Sequence, residues 1–211
     1  MKKWFVFLFF AMAFVACNQD EYTYALIETE FGNIKVKLYN TTPQHRDNFI
    51  KLANEGFFDG TLFHRVIPGF MIQGGDPDSK NATPGQRLGM GSLGYEIEPE
   101  IGGLHLRGAL AAARTPNPQK LSSASQFYIV DGSPVDTSFL NAHAARNNAA
   151  YSAIQKELYM EMGGRPDLDF NYTVFGEVVE GMEVVDQITA VTTDPYDRPT
   201  ADIPMKVRIV D

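Results

Sequence analysis

Apolar and polar residues alternate over two stretches near the start of the chain. Tyr24–Glu30 is rich in strand formers, and Asn33–Leu38 sends Ile34, Val36 and Leu38 to one side and Lys35 and Lys37 to the other. Phe31-Gly32 lies between them, so the pair predicts a β-hairpin. The period then changes. Thr41-Thr42-Pro43 offers a hydroxyl N-cap and a proline in the first turn, where its missing N–H costs nothing. Phe49, Leu52 and Ala53 give the predicted helix an apolar face, and Gly56 ends it. Strand-like segments follow at Thr61–Ile67, Phe70–Gln73, Ala109–Ala113, Phe127–Val130 and Thr173–Val179. Met182–Ile188 reads as a second helix with Val184, Val185 and Ile188 on one side, and Met205–Val210 alternates again and would close the sheet. Short strands between Gly/Pro turns predict an all-β barrel or sandwich.

One stretch breaks this rhythm. Asn141–Met162 has no strand pattern, and Ala150, Ile154, Leu158 and Met162 recur at helical spacing with Tyr151 beside them. Gly163-Gly164 and Pro166 stop it. The pattern predicts a helix-bearing insertion of roughly five or six turns, at about 141–166 with its stop signals.

The first residues follow another logic. Lys2 and Lys3 precede an unbroken apolar run from Trp4 to Val15. Twelve residues fall short of the roughly 20 a membrane-spanning helix needs, but they suit the core of a signal peptide. The run ends in Phe14-Val15-Ala16-Cys17 and polar residues follow, which resembles a bacterial lipoprotein signal with Cys17 as the lipidated N-terminus. Phe14 stands where leucine is usual. An ordinary signal peptide cut elsewhere and an uncleaved short anchor compete with this reading. The expected plan is a signal peptide at 1–16, a tether at 17–22 and a folded domain at 23–211. The protein would be exported and held to a membrane of the cell envelope, facing the periplasm or the surface. Cys17 is the sole cysteine, so no intramolecular disulfide forms and cysteine nucleophilic catalysis is excluded from the mature domain.

Composition is that of an ordinary globular chain, 44% hydrophobic and 21% charged. The formal charge is −8, and residues 1–16 carry only Lys2 and Lys3, so the remainder stands at −10. A chain this acidic has no electrostatic reason to bind nucleic acid or an anionic lipid surface. His45, His105 and His143 show no metal-ligand spacing and read as surface or structural residues.

The most informative segment is Phe63-His64-Arg65-Val66-Ile67-Pro68-Gly69-Phe70-Met71-Ile72-Gln73-Gly74-Gly75-Asp76. Two further blocks follow in order: Ala111-Ala112-Ala113-Arg114 with Ser125-Gln126-Phe127-Tyr128-Ile129, and Tyr172-Thr173-Val174-Phe175-Gly176-Glu177-Val178. Together they closely resemble the signatures of the cyclophilin-type peptidyl-prolyl cis/trans isomerases over about residues 22–211. The resemblance implies a mainly β fold, an eight-stranded antiparallel barrel capped by two helices, here carrying a helical insertion. It implies an isomerase acting on proline-containing peptides and unfolded exported proteins, without cofactor or metal, and a monomer is expected.

Such a site needs no nucleophile. Rotation about an X–Pro amide costs about 18–20 kcal/mol because conjugation is lost. As it is lost, the prolyl nitrogen becomes pyramidal and gains a lone pair. A donor aimed at that lone pair binds the twisted state better than either planar one. The resemblance assigns this role to Arg65, a permanently charged fork of N–H donors, with Gln73 and Phe70 beside it. It places Met71, Tyr128 and Leu168 with Phe70 in an apolar cup for the ring, and Ala113, Arg114, Gln126 and Tyr172 around the groove. His64 would pack or hydrogen-bond behind Arg65.

Several positions depart from the family pattern. Arg114 stands where eukaryotic members have Asn, Tyr172 where many have His, and Tyr128 where Phe is usual, which adds a hydroxyl to an apolar cup. The family's Trp-Leu or Phe-Leu pair is interrupted by the insertion and aligns either with Phe139-Leu140 or with Asp167-Leu168. The second keeps the four-residue spacing from Leu168 to Tyr172. It puts Asp167 where cyclosporin-sensitive members carry Trp, which implies weak cyclosporin binding. Three alternatives to an active isomerase stand beside it: a proline-peptide clamp without catalysis, a holdase whose inserted helix captures clients, and, more distantly, a small-ligand barrel.

Overall fold

The computed structural model describes residues 22–210. The expected signal peptide, Cys17 and all of the expected tether except Tyr22 lie outside the described residues. Ten strands form: β1 (Thr23–Thr29), β2 (Gly32–Leu38), β3 (Phe63–Ile67), β4 (Met71–Gly74), β5 (Glu96–Ile97), β6 (Ala109–Ala112), β7 (Ser122–Ser123), β8 (Phe127–Val130), β9 (Val174–Glu180) and β10 (Lys206–Val210). Eight of them make one antiparallel sheet in the order β10-β1-β2-β9-β6-β8-β4-β3, while β5 and β7 pair apart. The sheet curls until its ends meet. Gly60 and Phe63 donate to the carbonyls of Met205 and Ile203, and Met205 donates to Thr61, so the segments leading into β3 and β10 stitch the barrel shut.

Alternation explains the interior. Ala25 and Ile27 of β1 face inward with Ile34, Val36 and Leu38 of β2, all fully buried. The helices α1 (Pro43–Asn54) and α4 (Met182–Thr189) add Phe49, Leu52 and Ala53, and Val184, Val185 and Ile188, to the same core. Both capping helices thus stand where the hydrophobic pattern puts them. The cap of α1 does not come from the threonines. Thr42 makes no side-chain cap, and the carboxylate of Glu100 instead accepts from the backbone N–H of Gln44 (3.1 Å) and of His45 (3.0 Å). A partner 55 residues away replaces the local hydroxyl, and a charged acceptor at a helix N-terminus also meets the macrodipole. Burial raises the pKa of the Glu100 carboxyl, yet hydrogen bonds from His45 and Gln44 hold it below its ordinary value.

The stretch predicted as one helix is two: α2 (Thr137–Arg146) and α3 (Ala153–Met162). The reason is a capping box. Ser152 accepts from the Gln155 N–H while the Gln155 side chain accepts from the Ser152 N–H, which starts a new helix rather than continuing the old one. The buried face also differs from the expected stripe. Ile154 is 70% exposed and Met162 47%, while Leu140, Ala144, Tyr151 and Tyr159 form the insertion's own small core. Two tyrosines with a buried acceptor within reach displace the aliphatic positions from that core.

The insertion returns to the barrel through glycine. Gly164 pairs with both Leu106 and Ser133. A Cβ there would stand 2.3 Å from the His105 carbonyl oxygen and 2.8 Å from the Tyr159 ring, at a φ of +153°. Gly164→Ala is therefore expected to lower unfolding free energy by about 2 kcal/mol or more, read as a drop in the urea midpoint.

His64 on β3 is 3% exposed, and neither ring nitrogen has a hydrogen-bond partner among the described residues. It packs behind Arg65 without bonding. Burial lowers its pKa to about 4, with the buried Asp76 carboxylate and the Leu62 carbonyl offsetting only part of that cost. The folded state then binds fewer protons than the unfolded chain below pH 6.5, so this contribution to stability is lost as pH falls from about 6.5 toward about 4. Between pH 7 and 4.5 the native protein should lose roughly 2–3 kcal/mol more than a His64→Leu variant, measured by urea unfolding at both pH values.

Candidate active site

Strand register assembles the site. Arg65 of β3 lies opposite Gln73 of β4, Gln73 opposite Tyr128 of β8, and Tyr128 opposite Ala111 of β6. Residues paired in this way share a face, so these four side chains form one row across the sheet. The face is the outer one. Its neighbours Ile72, Ile129 and Leu110 point into the barrel, while Met71, Ala109, Ala111, Ala113, Tyr128, Val130 and Val174 make a second cluster outside it. Phe70, Leu168 and Tyr172 pack against that cluster. Small alanines on β6 between large neighbours leave a hollow in the surface.

The hollow is a cavity of about 100 Å³ lined by Arg65, Phe70, Met71, Gln73, Ala113, Arg114, Tyr128, Leu168 and Tyr172. It falls well short of the roughly 300–1,000 Å³ of pockets that enclose drug-sized ligands, and suits one small ring. Nine of the ten residues expected in or around the site line it. The tenth, Gln126, lines an adjoining cavity of about 110 Å³ with Gln73, Ala113, Arg114, Met90 and Tyr95. Of the two alignments considered for the interrupted pair, Leu168 reaches the cavity, whereas Leu140 is fully buried in the insertion and Phe139 is exposed.

Phe70 is delivered by a tight turn. Phe70 N–H donates to the Ile67 carbonyl across Pro68-Gly69, and Gly69 takes φ +69°, the pairing a type II turn asks for. Two guanidiniums then approach the Phe70 ring: Arg165 at 3.9 Å from its centroid and Arg65 at 5.9 Å. Arg165 is held by a two-pronged pair with Asp167 (2.8 and 2.7 Å), so the rim carries a stacked ion pair where an indole was the family expectation.

The polar end has a fixed orientation. The Gln126 amide nitrogen donates to the carbonyls of Gly89 (3.2 Å) and Gly91 (3.0 Å), which turns its oxygen toward Gln73. Gln73 Nε2 donates to that oxygen at 3.2 Å, leaving its own carbonyl oxygen for the cavity beside Arg65. Arg65 remains 40% exposed, and its Nε lies 3.5 Å from the Asp197 carboxylate. Asp197 takes φ +65°, and its carbonyl also accepts from Val66, so the loop steadies the strand and the guanidinium together. Arg114 donates from Nε to the Asn171 carbonyl (3.0 Å) and stacks over Tyr172 at 4.7 Å.

The added hydroxyl of Tyr128 does not enter the cup. It turns back to His105 Nε2 at 2.9 Å. His105, far from the surface, is fully buried, with Nδ1 2.8 Å from the Asp169 carboxylate. Sequence patterns gave no sign of Asp197, Arg165 or this His105–Asp169 pair, because each acts across a long separation with no motif spacing.

The sequence matches the model of the cyclophilin type peptidyl-prolyl cis-trans isomerase/CLD family over residues 24–209. A candidate peptidyl-prolyl cis-trans isomerase of Staphylococcus aureus strain USA300 is 34% identical over 180 residues, covering 84% of this chain and 86% of that protein. A candidate bifunctional phosphatase/peptidyl-prolyl cis-trans isomerase of Streptococcus pyogenes serotype M6 is 36% identical over 181 residues. That alignment covers 84% of this chain but 36% of the relative, so the chain spans only about a third of its length. The crystal structure of a Cryptosporidium parvum cyclophilin type peptidyl-prolyl cis-trans isomerase aligns with a TM-score of 0.64 at 24% identity, covering 90% of this chain and 99% of that one. A second structure of that protein, in the presence of the dipeptide Ala-Pro, gives the same TM-score and covers 89% of this chain. At such identity these structures speak for the fold, whereas the match along nearly the whole described domain speaks for the family: the chain belongs to the cyclophilin-type peptidyl-prolyl cis-trans isomerases.

Proposed function

We propose that the hollow on the outer face holds the proline ring of a substrate peptide and that Arg65 donates to the prolyl nitrogen as the X–Pro bond twists. The observation that carries this reading is the juxtaposition in one cavity of an apolar floor and an available guanidinium. Met71, Tyr128, Phe70 and Leu168 grip the ring, so the bond rotates against a fixed proline. The free carbonyl oxygen of Gln73 can accept from Arg65 or from the peptide backbone. Arg65 acts as a hydrogen-bond donor to a developing lone pair, so the site needs no titrating acid or base. Tyr172 and Arg114 stack into one wall and Ala113 leaves room for the peptide backbone beside it. Because Arg65 has both a partly exposed fork and a carboxylate steadying its Nε, the enzyme reading is favoured over a clamp that would need no such donor.

Removing one aimed donor from a site of electrostatic stabilisation costs about 10²–10³ in rate. In an isomerisation assay on a short X-Pro peptide, Arg65→Ala in the soluble domain should lose that much of kcat/KM. Binding of a proline peptide should weaken far less. An unchanged rate would remove Arg65 from the mechanism.

The leader supports a second proposal, that the protein is exported and anchored by a lipid on Cys17 and serves the folding of other exported chains. The support is the Lys2-Lys3 pair, the Trp4–Val15 apolar run and Cys17 itself. Cells expressing the full chain with a labelled fatty acid should label the protein, and Cys17→Ser should abolish the label. A labelled Cys17→Ser chain would exclude the anchor.

A further inference from the structure

Tyr151 and Tyr159, on opposite sides of the insertion's capping box, aim their hydroxyls at one carboxylate. Asp169 is 1% exposed. Its Oδ2 accepts from Tyr151 (2.7 Å) and Tyr159 (2.6 Å), and its Oδ1 accepts from the His105 backbone N–H (2.8 Å) and lies 2.8 Å from His105 Nδ1. His105 continues the chain to Tyr128, with Nε2 2.9 Å from the hydroxyl and the two rings stacked, 6.0 Å between centroids and 15° between planes. Tyr128 is the floor of the cavity and meets Tyr172 edge-on at 6.0 Å.

Chemistry sets the direction of this chain. A carboxylate can only accept, so Nδ1 carries the imidazole proton. When the ring carries that one proton, Nε2 is an acceptor and the Tyr128 hydroxyl donates to it. The Tyr128 hydroxyl has no other hydrogen-bond partner among the described residues. If His105 shifts, that buried hydroxyl must find another acceptor, and the open direction is the cavity. Leu168 and Tyr172, on either side of Asp169 in sequence, form walls of the same cavity.

We propose that Tyr151 and Tyr159 are positioning residues for the isomerase site, which act through Asp169 and His105 to hold the Tyr128 ring at the cavity floor. The helical insertion thereby sets how well the cavity accepts proline. This rests on the reading of the hollow as the proline cavity.

Tyr→Phe substitutions test it because they remove one oxygen and keep the ring. Tyr151→Phe, Tyr159→Phe and their combination are made in the wild-type chain and again in Tyr128→Phe, and KM, kcat and the urea midpoint are measured for each. Phe70→Ala serves as a control on the cavity. In the wild-type background the tyrosine changes should raise KM about threefold to tenfold, with kcat within about twofold, as expected of coupled neighbours. In the Tyr128→Phe background the same changes should move KM by less than about 1.5-fold, while their effect on the urea midpoint persists. A purely structural role would move the midpoint in both backgrounds and KM in neither, and would overturn the proposal. An equal rise of KM in both backgrounds would overturn it too, since the insertion would then act through the Leu168–Tyr172 backbone. If Phe70→Ala leaves KM unmoved, the hollow does not hold proline and both readings fall. If Phe70→Ala raises KM and the tyrosine changes do not, the positioning role alone falls.

Discussion

The register of four strands is the constraint on which the site depends. Side chains on a strand alternate with period two, so a slip of one residue between β3, β4, β8 and β6 would send the whole row of Arg65, Gln73, Tyr128 and Ala111 to the other face. What prevents the slip is the interior. Ile72, Ile129, Leu110 and Phe127 are close to fully buried among the aromatic rings of Phe49, Phe58 and Phe175, and none could be turned outward cheaply. Packing inside the barrel thus holds the chemistry outside it. The helices α1 and α4 complete that packing without touching the cavity.

Local signals carried most of this to the sequence reader. The β1–β2 hairpin, α1, α4 and the strands β3, β4, β6, β8, β9 and β10 lie within a residue or two of where the local pattern puts them, whereas the two-residue strands β5 and β7 are too short to carry a period. The turn before Phe70 was readable too: Pro68-Gly69 permits few backbone conformations. Where tertiary structure overrode local preference, the reading failed. Thr42 looked like a helix cap, but Glu100 reached α1 first. Ile154 and Met162 looked like a buried stripe, but a carboxylate drew Tyr151 and Tyr159 inward instead.

The residues of the cup were legible through resemblance and not through pattern, since Met71, Phe70 and Tyr128 in a strand-rich domain read by themselves as ordinary core. Their supports were not legible at all. Asp197 reaches Arg65 from a loop some 130 positions on, and Arg165 and Asp167 build a stacked ion pair on Phe70 from the end of the insertion. These contacts depend on how the ends of separate loops meet, which no spacing rule encodes. The departures from the family pattern also make sense only in three dimensions: the Tyr128 hydroxyl is satisfied from behind, so the cup stays apolar despite it.

The stitching of β3 to the approach of β10 has a consequence for an isomerase of proline-containing peptides. A sheet with an open edge displays a row of unpaired N–H and C=O groups, a template on which a foreign strand can add. Here the start of β3 and the segment before it spend some of those groups on the approach to β10, through Gly60, Phe63, Ile203 and Met205, and the Asp197 carbonyl covers Val66. A proline peptide bound as proposed would therefore meet side chains in a hollow rather than a vacant ladder. In the proposed mode it would be held by one ring, turned and released, with the paired part of the β3 edge closed to strand addition.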